Sequence, residues 1–302
     1  MKKFLKKILI TFGISLLLSI SIYIVFLIKK TPSIDRYYGN FTTIHNGSVI
    51  TGTSRGRYAL DYKNSTFKNF SFTRSMSPYN DSYTNFLFNV IEQKIGETSI
   101  LTVSPIALGN DEEFDEELEY FQRFNFKRSD FQKINFNYLI KEKITPLKII
   151  DWNTKELIRK LSFGKDYSKD YRDSSKDTLI LNRDIKNYPI PKELSLIKLK
   201  NLGKLIHHFK KTSNVFLVRL PVPKKMYGKE NEIHPYFNYM MDSISNTNCV
   251  DYIDMNNFKF YPKLIFYDVH HVNLKERKRV TQKLLDSIIE INKLSLIDKG
   301  GI

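Results

Sequence analysis

The stretch VITGTSRGRYALD, Val49 to Asp61, changes character half-way along. Val49, Ile50 and Thr51 are β-branched and favour extended backbone. Gly52 and Gly56 bracket a short polar turn, and Arg57 to Leu60 suit a helix. A strand that passes through a tight turn into a helix is the first half of a βαβ unit. Ser54 stands on that turn. The position suits a nucleophile presented at a strand end, and it equally suits a serine that caps an ordinary helix.

Outward from this stretch the same rhythm repeats. FKNFSF (Phe67–Phe72) predicts a strand. SPYNDSYTNFLFNVIEQK (Ser77–Lys94) predicts a helix with Phe86, Val90 and Ile91 on one face and Asn80 or Asp81 as cap. TSILTVSPIAL (Thr98–Leu108) predicts a third strand. Strands alternating with helices give an α/β fold with a parallel sheet. The rhythm returns with a helix at Asn201–Ser213, a strand at Asn214–Leu220, a helix at His234–Asn246 and a short strand at Val250–Met255. KLIFYDVHHVN (Lys263–Asn273) adds a strand that delivers Asp268 and His271. A terminal amphipathic helix follows, with Val280, Leu284, Leu285, Ile288 and Ile291 at helical spacing. Residues 123–198 lack this rhythm and read as an insertion with short helices such as TKELIRKL (Thr154–Leu161).

Composition narrows the function classes. The chain has 302 residues, 41% hydrophobic and 14% aromatic, which is ample for a packed core. Its net charge is +16, and six of those charges are lysines within residues 1–30. No long Lys/Arg run with interleaved aromatics lies beyond the N-terminus, so nucleic acid is not the expected partner. A basic surface suits anionic lipid or polysaccharide. The single cysteine, Cys249, allows no internal disulfide and no zinc cluster, and reads as a small buried residue. Seven acids crowd Asp111–Glu119 without the spacing of a calcium loop, and read as a solvated helix start. No metal or organic cofactor is implied.

ILITFGISLLLSISIYIVFLI (Ile8–Ile28) is 21 residues without a charge, long enough to cross roughly 30 Å of hydrocarbon. It lacks a small-x-small cleavage site, so residues 1–30 read as a cytoplasmic N-terminus and uncleaved transmembrane signal anchor. Lys2, Lys3, Lys6 and Lys7 precede it, while Lys29, Lys30 and Arg36 follow, which favours a cytoplasmic N-terminus and an outward-facing main domain. Residues 31–44 read as a tether and 45–298 as the domain. A bacterial cytoplasmic-membrane protein, with its C-terminal domain in the periplasm or outside the cell, fits this arrangement.

Asp268 and His271 lie three apart, just ahead of the terminal helix, with Asn273 beyond them. In an open parallel sheet the strand C-terminal ends collect the site, so Ser54, Asp268 and His271 are expected to meet on one edge. A serine hydroxyl needs a base, and a histidine serves best when a carboxylate fixes its tautomer.

Gly52-Thr53-Ser54 near the start of the domain and Asp268-Val269-His270-His271 near its end resemble the nucleophile and acid–base motifs of the SGNH (GDSL-like) hydrolase superfamily. His271-Val272-Asn273 followed by Val280-Thr281 is similar to the family's post-histidine pattern. The resemblance covers roughly 45–122 and 200–298. It implies a three-layer α/β/α flavodoxin-like domain, with Ser54 as nucleophile, His271 as base and Asp268 as its orienting acid. His270 reads as a neighbour. The family's oxyanion glycine is absent from SFTRSMSPYND (Ser71–Asp81), where Ser75 is the nearest positional match. Its Gly-x-Asn-Asp is replaced by VSPIAL (Val103–Leu108), where Ser104 stands in the donor position. Glu276 replaces the glycine after the histidine. Arg55 either contacts an anionic or acylated substrate or is an exposed first-turn residue. Asn273 stabilises the turn after the histidine.

The resemblance is closest to membrane-tethered SGNH-like proteins of bacterial envelope and exopolysaccharide systems. It implies a serine esterase or O-acyltransferase acting on an acylated glycan of the cell envelope or an exported polysaccharide. Membrane lipid would hold the N-terminal helix, and a membrane-bound acyltransferase is a possible partner. The alternative is a catalytically degenerate relative that binds glycan or that acyltransferase.

Overall fold

The computed structural model describes residues 2–34, 45–61, 67–71, 78–109, 178–256 and 264–298. The chain divides into two compact units. In the first, α1 (Lys2–Ile34) contains a 19-residue span, Lys3–Ser21, of mean hydropathy 1.7. Phe4, Leu9, Phe12 and Leu17 along it are exposed, as suits a segment whose solvent is lipid. Among the described residues, one helix is thus long and apolar enough to cross a membrane. It continues through Ile34, into the expected tether.

The second unit is built on five parallel strands: β1 (Val49–Gly52), β2 (Lys68–Ser71), β3 (Glu97–Thr102), β4 (Ser213–Arg219) and β5 (Asp251–Asp254), in spatial order β2-β1-β3-β4-β5. The connecting helices are α2 (Ser54–Ala59), α3 (Asp81–Val90), α4 (Pro105–Leu108), α5 (Thr178–Asn187), α6 (Leu196–Phe209), α7 (Lys224–Ile233), α8 (Phe237–Asn248) and α9 (Arg277–Asp298). From β1 the chain winds first to β2 on one side and then to β3 on the other. The order therefore switches between β1 and β3, and the crevice above that switch is where α/β sheets place ligands.

Central strands buried on both faces read as apolar runs, as β4 does. On one face Ile50, Ile100, Phe216 and Val218 pack against Ala59 and Leu60 of the α2 segment and Val280, Leu284 and Ile288 of α9. The alternate residues Val49, Leu101, Val215 and Leu217 are buried on the other side. There α6 packs against β4, α3 and α8, supplying Leu202, Leu205, Ile206 and Phe209.

Two buried tyrosines pin the carboxyl ends of the inner strands. The Gly52 N–H donates to Tyr83 Oη at 2.9 Å, and that hydroxyl donates to the Phe70 carbonyl at 3.0 Å. Tyr79 Oη donates to the Thr102 carbonyl at 2.8 Å, while Thr102 Oγ1 donates to the Thr51 carbonyl at 2.7 Å. Burial raises the ionisation of both phenols far above neutral pH, so they act as fixed donors. β1 runs so close to β3 that a Cβ on Gly52 would lie 2.0 Å from Thr102 Oγ1, and Gly52 has φ of 119°.

Some expectations change. PVPKKMYG (Pro221–Gly228), beyond the expected strand at Asn214–Leu220, leads into α7, and α5 occupies part of the expected insertion. TKELIRKL and the acidic run fall outside the described residues. The strand expected before Asp268 is absent from the described residues. Phe266 makes only an isolated antiparallel bridge to Val272, closing a turn. Cys249 is exposed in the left-handed region (φ 47°) at the end of α8, not buried.

Two glycine substitutions separate close approach from open space. Gly52→Ala is expected to cost more than about 2 kcal/mol through strain and overlap with Thr102. Gly228→Ala, inside α7 with nothing near its added Cβ, is expected to gain about 0.5–1 kcal/mol. Urea unfolding of the full chain in detergent measures both.

Candidate active site

The turn after β1 is built by Thr53, not by Ser54. Thr53 is the N-cap of α2, in extended backbone, and its Oγ1 accepts the Arg55 N–H at 3.3 Å. Ser54 is therefore not the capping serine that its position also allowed. It is the first helical residue, so its N–H belongs to the first-turn donors that intrahelical bonds leave open. Gly56 lets this turn settle on β2, since a Cβ there would lie 2.4 Å from Ser71 Oγ. Asn69 Nδ2 holds the Gly56 carbonyl at 3.1 Å.

The second half of the site comes from a turn near the C-terminus. Asp268 Oδ1 accepts the backbone N–H groups of His270 (3.0 Å) and His271 (2.9 Å), an Asx-type turn that fixes the histidine against its own acid. Its other oxygen, Oδ2, lies 2.7 Å from His271 Nδ1. On the far side of the ring, His271 Nε2 lies 2.8 Å from Ser54 Oγ. The Tyr58 ring meets the imidazole edge-on at 4.6 Å between centroids. Asp268, His271 and Ser54 thus form one hydrogen-bonded line with the geometry of an acid–base–nucleophile triad.

Two further contacts carry the C-terminal helix to this turn. Arg277 Nε donates to the Tyr58 carbonyl at 2.6 Å, and the Asp61 N–H donates to Thr281 Oγ1 at 2.7 Å. Burial pushes the Asp268 carboxyl up, but the His271 hydrogen bond and charge, with those of His270, hold it well below the usual carboxylate range. Asp268 therefore stays charged wherever His271 is to act as a base.

Arg55 and Ser104 are fixed by other contacts, and Asn273 holds the turn after the histidine as expected. Arg55 is not the exposed first-turn residue that its position also allowed. It is buried, 4% exposed, and ion-paired with Glu230, itself fully buried. Glu230 Oε2 also takes a hydrogen bond from Arg219 Nη2 at 2.9 Å. Burial would raise the Glu230 carboxyl, but the Arg55 and Arg219 guanidiniums hold it down. Arg219 stacks over Tyr227 and Phe237 and donates to Asn238. Ser104 caps α4, its hydroxyl accepting the Ala107 N–H at 3.1 Å. Asn273 caps the 3₁₀ turn Leu274–Glu276, accepting the Lys275 N–H at 3.0 Å. Ser75 lies outside the described residues. Sequence reasoning missed Tyr58, Glu230 and Arg219, as well as Ser71, buried at the end of β2.

Asp268, His270 and His271 bring possible metal-ligating atoms within 4.8 Å of one another. In this arrangement both His271 nitrogens are engaged, one by Asp268 and one by Ser54.

No family model, curated protein or solved structure matches the chain. Function is therefore read from the chemistry of the site itself.

Two outcomes are expected from its electrostatics. Asp268 has a depressed folded pKa, so the stability it confers is present above its ordinary value of 3.8 and is lost as pH falls through the folded value. The stability difference between wild type and Asp268→Asn should be evident at pH 6 and shrink below about pH 4, as read by urea unfolding against pH. Glu230→Gln leaves two buried guanidiniums without their shared anion and should cost about 3–5 kcal/mol in the same assay.

Proposed function

We propose that the chain is a membrane-anchored serine esterase or O-acyltransferase of the SGNH (GDSL-like) type, with a three-layer α/β/α flavodoxin-like domain. Its substrate would be an acylated glycan of the cell envelope or an exported polysaccharide. The observation that carries this reading is the continuous line Asp268–His271–Ser54, with contacts of 2.7 and 2.8 Å, at the switch-point edge of a parallel sheet. The helix α1 supports anchoring, and the lysines ahead of it favour a domain that faces outward from a bacterial membrane.

In this mechanism Ser54 Oγ attacks the acyl carbonyl carbon while its proton passes to His271 Nε2. Asp268 holds the imidazole in the right tautomer and balances the imidazolium that forms. The Ser54 N–H supports the oxyanion. The tetrahedral adduct collapses, the bond to the alcohol oxygen breaks, and His271 returns the proton to that oxygen. Water or a sugar hydroxyl then attacks the acyl-serine with His271 as base again, which restores the serine. Hydrolysis and transfer differ only in this second nucleophile.

A second reading has its own support. Ser104 is buried, 2% exposed, and Arg55 is committed to Glu230, so neither is an evident oxyanion donor. One lost donor costs about 10²–10³ in turnover. A degenerate relative that binds glycan or a membrane acyltransferase would keep the triad geometry and lose the rate.

A serine-directed fluorophosphonate separates the two readings. The full chain in detergent is expected to be labelled at Ser54. Ser54→Ala should abolish labelling, and His271→Ala should slow it by about 10²-fold or more. An unlabelled wild type, or labelling that survives Ser54→Ala, sinks the enzyme reading.

A further inference from the structure

A cavity of about 250 Å³ opens beside the imidazole, lined by His271 and Asp268 together with Tyr58, Tyr267, Leu274 and Arg277. It borders the histidine and its acid. Ser54 is not among its lining residues. In acyl transfer the two sides of the reacting carbon face different groups. The acyl group lies by the serine, and the alcohol oxygen lies by the base that must protonate it. A hollow bordered by the base and not by the serine suits the alcohol's side of the reaction.

Its size and walls restrict the alcohol. The volume falls below the roughly 300–1,000 Å³ of pockets for drug-sized ligands, so it takes one ring-sized group. Two tyrosines and a leucine supply the amphipathic surface that suits a polar ring. Among the described residues lining the cavity, Arg277 is the one cation. Its Nε donates to the Tyr58 carbonyl at 2.6 Å, and its guanidinium lies over the Tyr58 ring at 5.5 Å, which hold the head group at the wall. The carboxylate there, Asp268, is directed to His271 Nδ1 and two backbone N–H groups. The cation that a bound alcohol meets at this wall is therefore Arg277.

Resting on the catalytic reading above, we infer that this cavity is the alcohol subsite and that it selects a ring-sized alcohol carrying a negative charge, such as an acidic sugar. In the deacylation half of a transfer, the same subsite would receive the accepting hydroxyl, because that step reverses the first.

The test uses two acetyl esters whose alcohols are alike in size and differ in charge, para-acetoxybenzoate and para-acetoxybenzamide. kcat/KM is measured for each with the full chain in detergent, alongside the rate of fluorophosphonate labelling at Ser54. Comparing the anionic-to-neutral ratio between variants cancels the intrinsic reactivity of the esters. Arg277→Gln is expected to lower that ratio about tenfold, the worth of one charge-assisted contact, with labelling at Ser54 followed in the same variant. Arg277→Lys, which keeps the charge, should retain more of the ratio than Arg277→Gln. An unchanged ratio overturns the subsite, as does a loss of labelling in Arg277→Gln that matches the loss on both esters. Failure of the catalytic reading shows separately, as a wild-type chain unlabelled at Ser54, and removes the subsite with it.

Discussion

A carboxylate with no access to water sits between two guanidinium groups at the carboxyl edge of the sheet. Glu230 on α7 faces Arg219 at the end of β4 and Arg55 on the first turn of α2. None of the three can ionise alone in such surroundings without a cost of several kcal/mol, and together each supplies what the others lack. Arg55 follows Ser54 directly, so the backbone that carries the nucleophile is fixed from below by charge as well as by packing. Arg219 reaches further, to Asn231, Asn238 and Asp254, which links the same cluster to β5 and α8. The edge of the sheet is held as one block, and the triad stands on it.

That block explains which parts of the site could be read in advance. The meeting of Ser54, Asp268 and His271 was legible because each belongs to a short local pattern at a chain position that an open parallel sheet brings to one edge. The Asp268 turn is a local device: a carboxylate captures the N–H groups two and three residues ahead, and the histidine is positioned as a consequence. The sheet was legible too, since runs such as NVFLVR leave little choice but a strand buried on both faces. Asn80 proved to be the cap of α3, one of the two residues the sequence offered.

What stayed hidden depends on partners far along the chain. Arg55 and Glu230 are 175 residues apart, and nothing near either shows that the other exists. KKMYGKENEI carries the charges of a solvated face, yet its Glu230 is the most deeply placed acid of the site. Its helix was obscured by Pro223 before it and Gly228 within it. The opposite error occurred at KLIFY, whose apolar character suggests a strand. Its described residues instead form one side of a closed turn, with Tyr267 N–H donating to the His271 carbonyl at 2.8 Å. There the turn's own hydrogen bonds, rather than propensity, decided the backbone.

The Ser54–His271 contact closes a loop of 217 residues, and Arg277 and Thr281 close loops of 219 and 220 residues onto Tyr58 and Asp61. Contacts of such separation form late, because their closure entropy must be met before they stabilise anything. A chain emerging from its N-terminus displays Ser54 early, as an ordinary hydroxyl on a short turn. It becomes a group with a base only once the last helix has docked. The order of folding therefore decides when Ser54 meets His271.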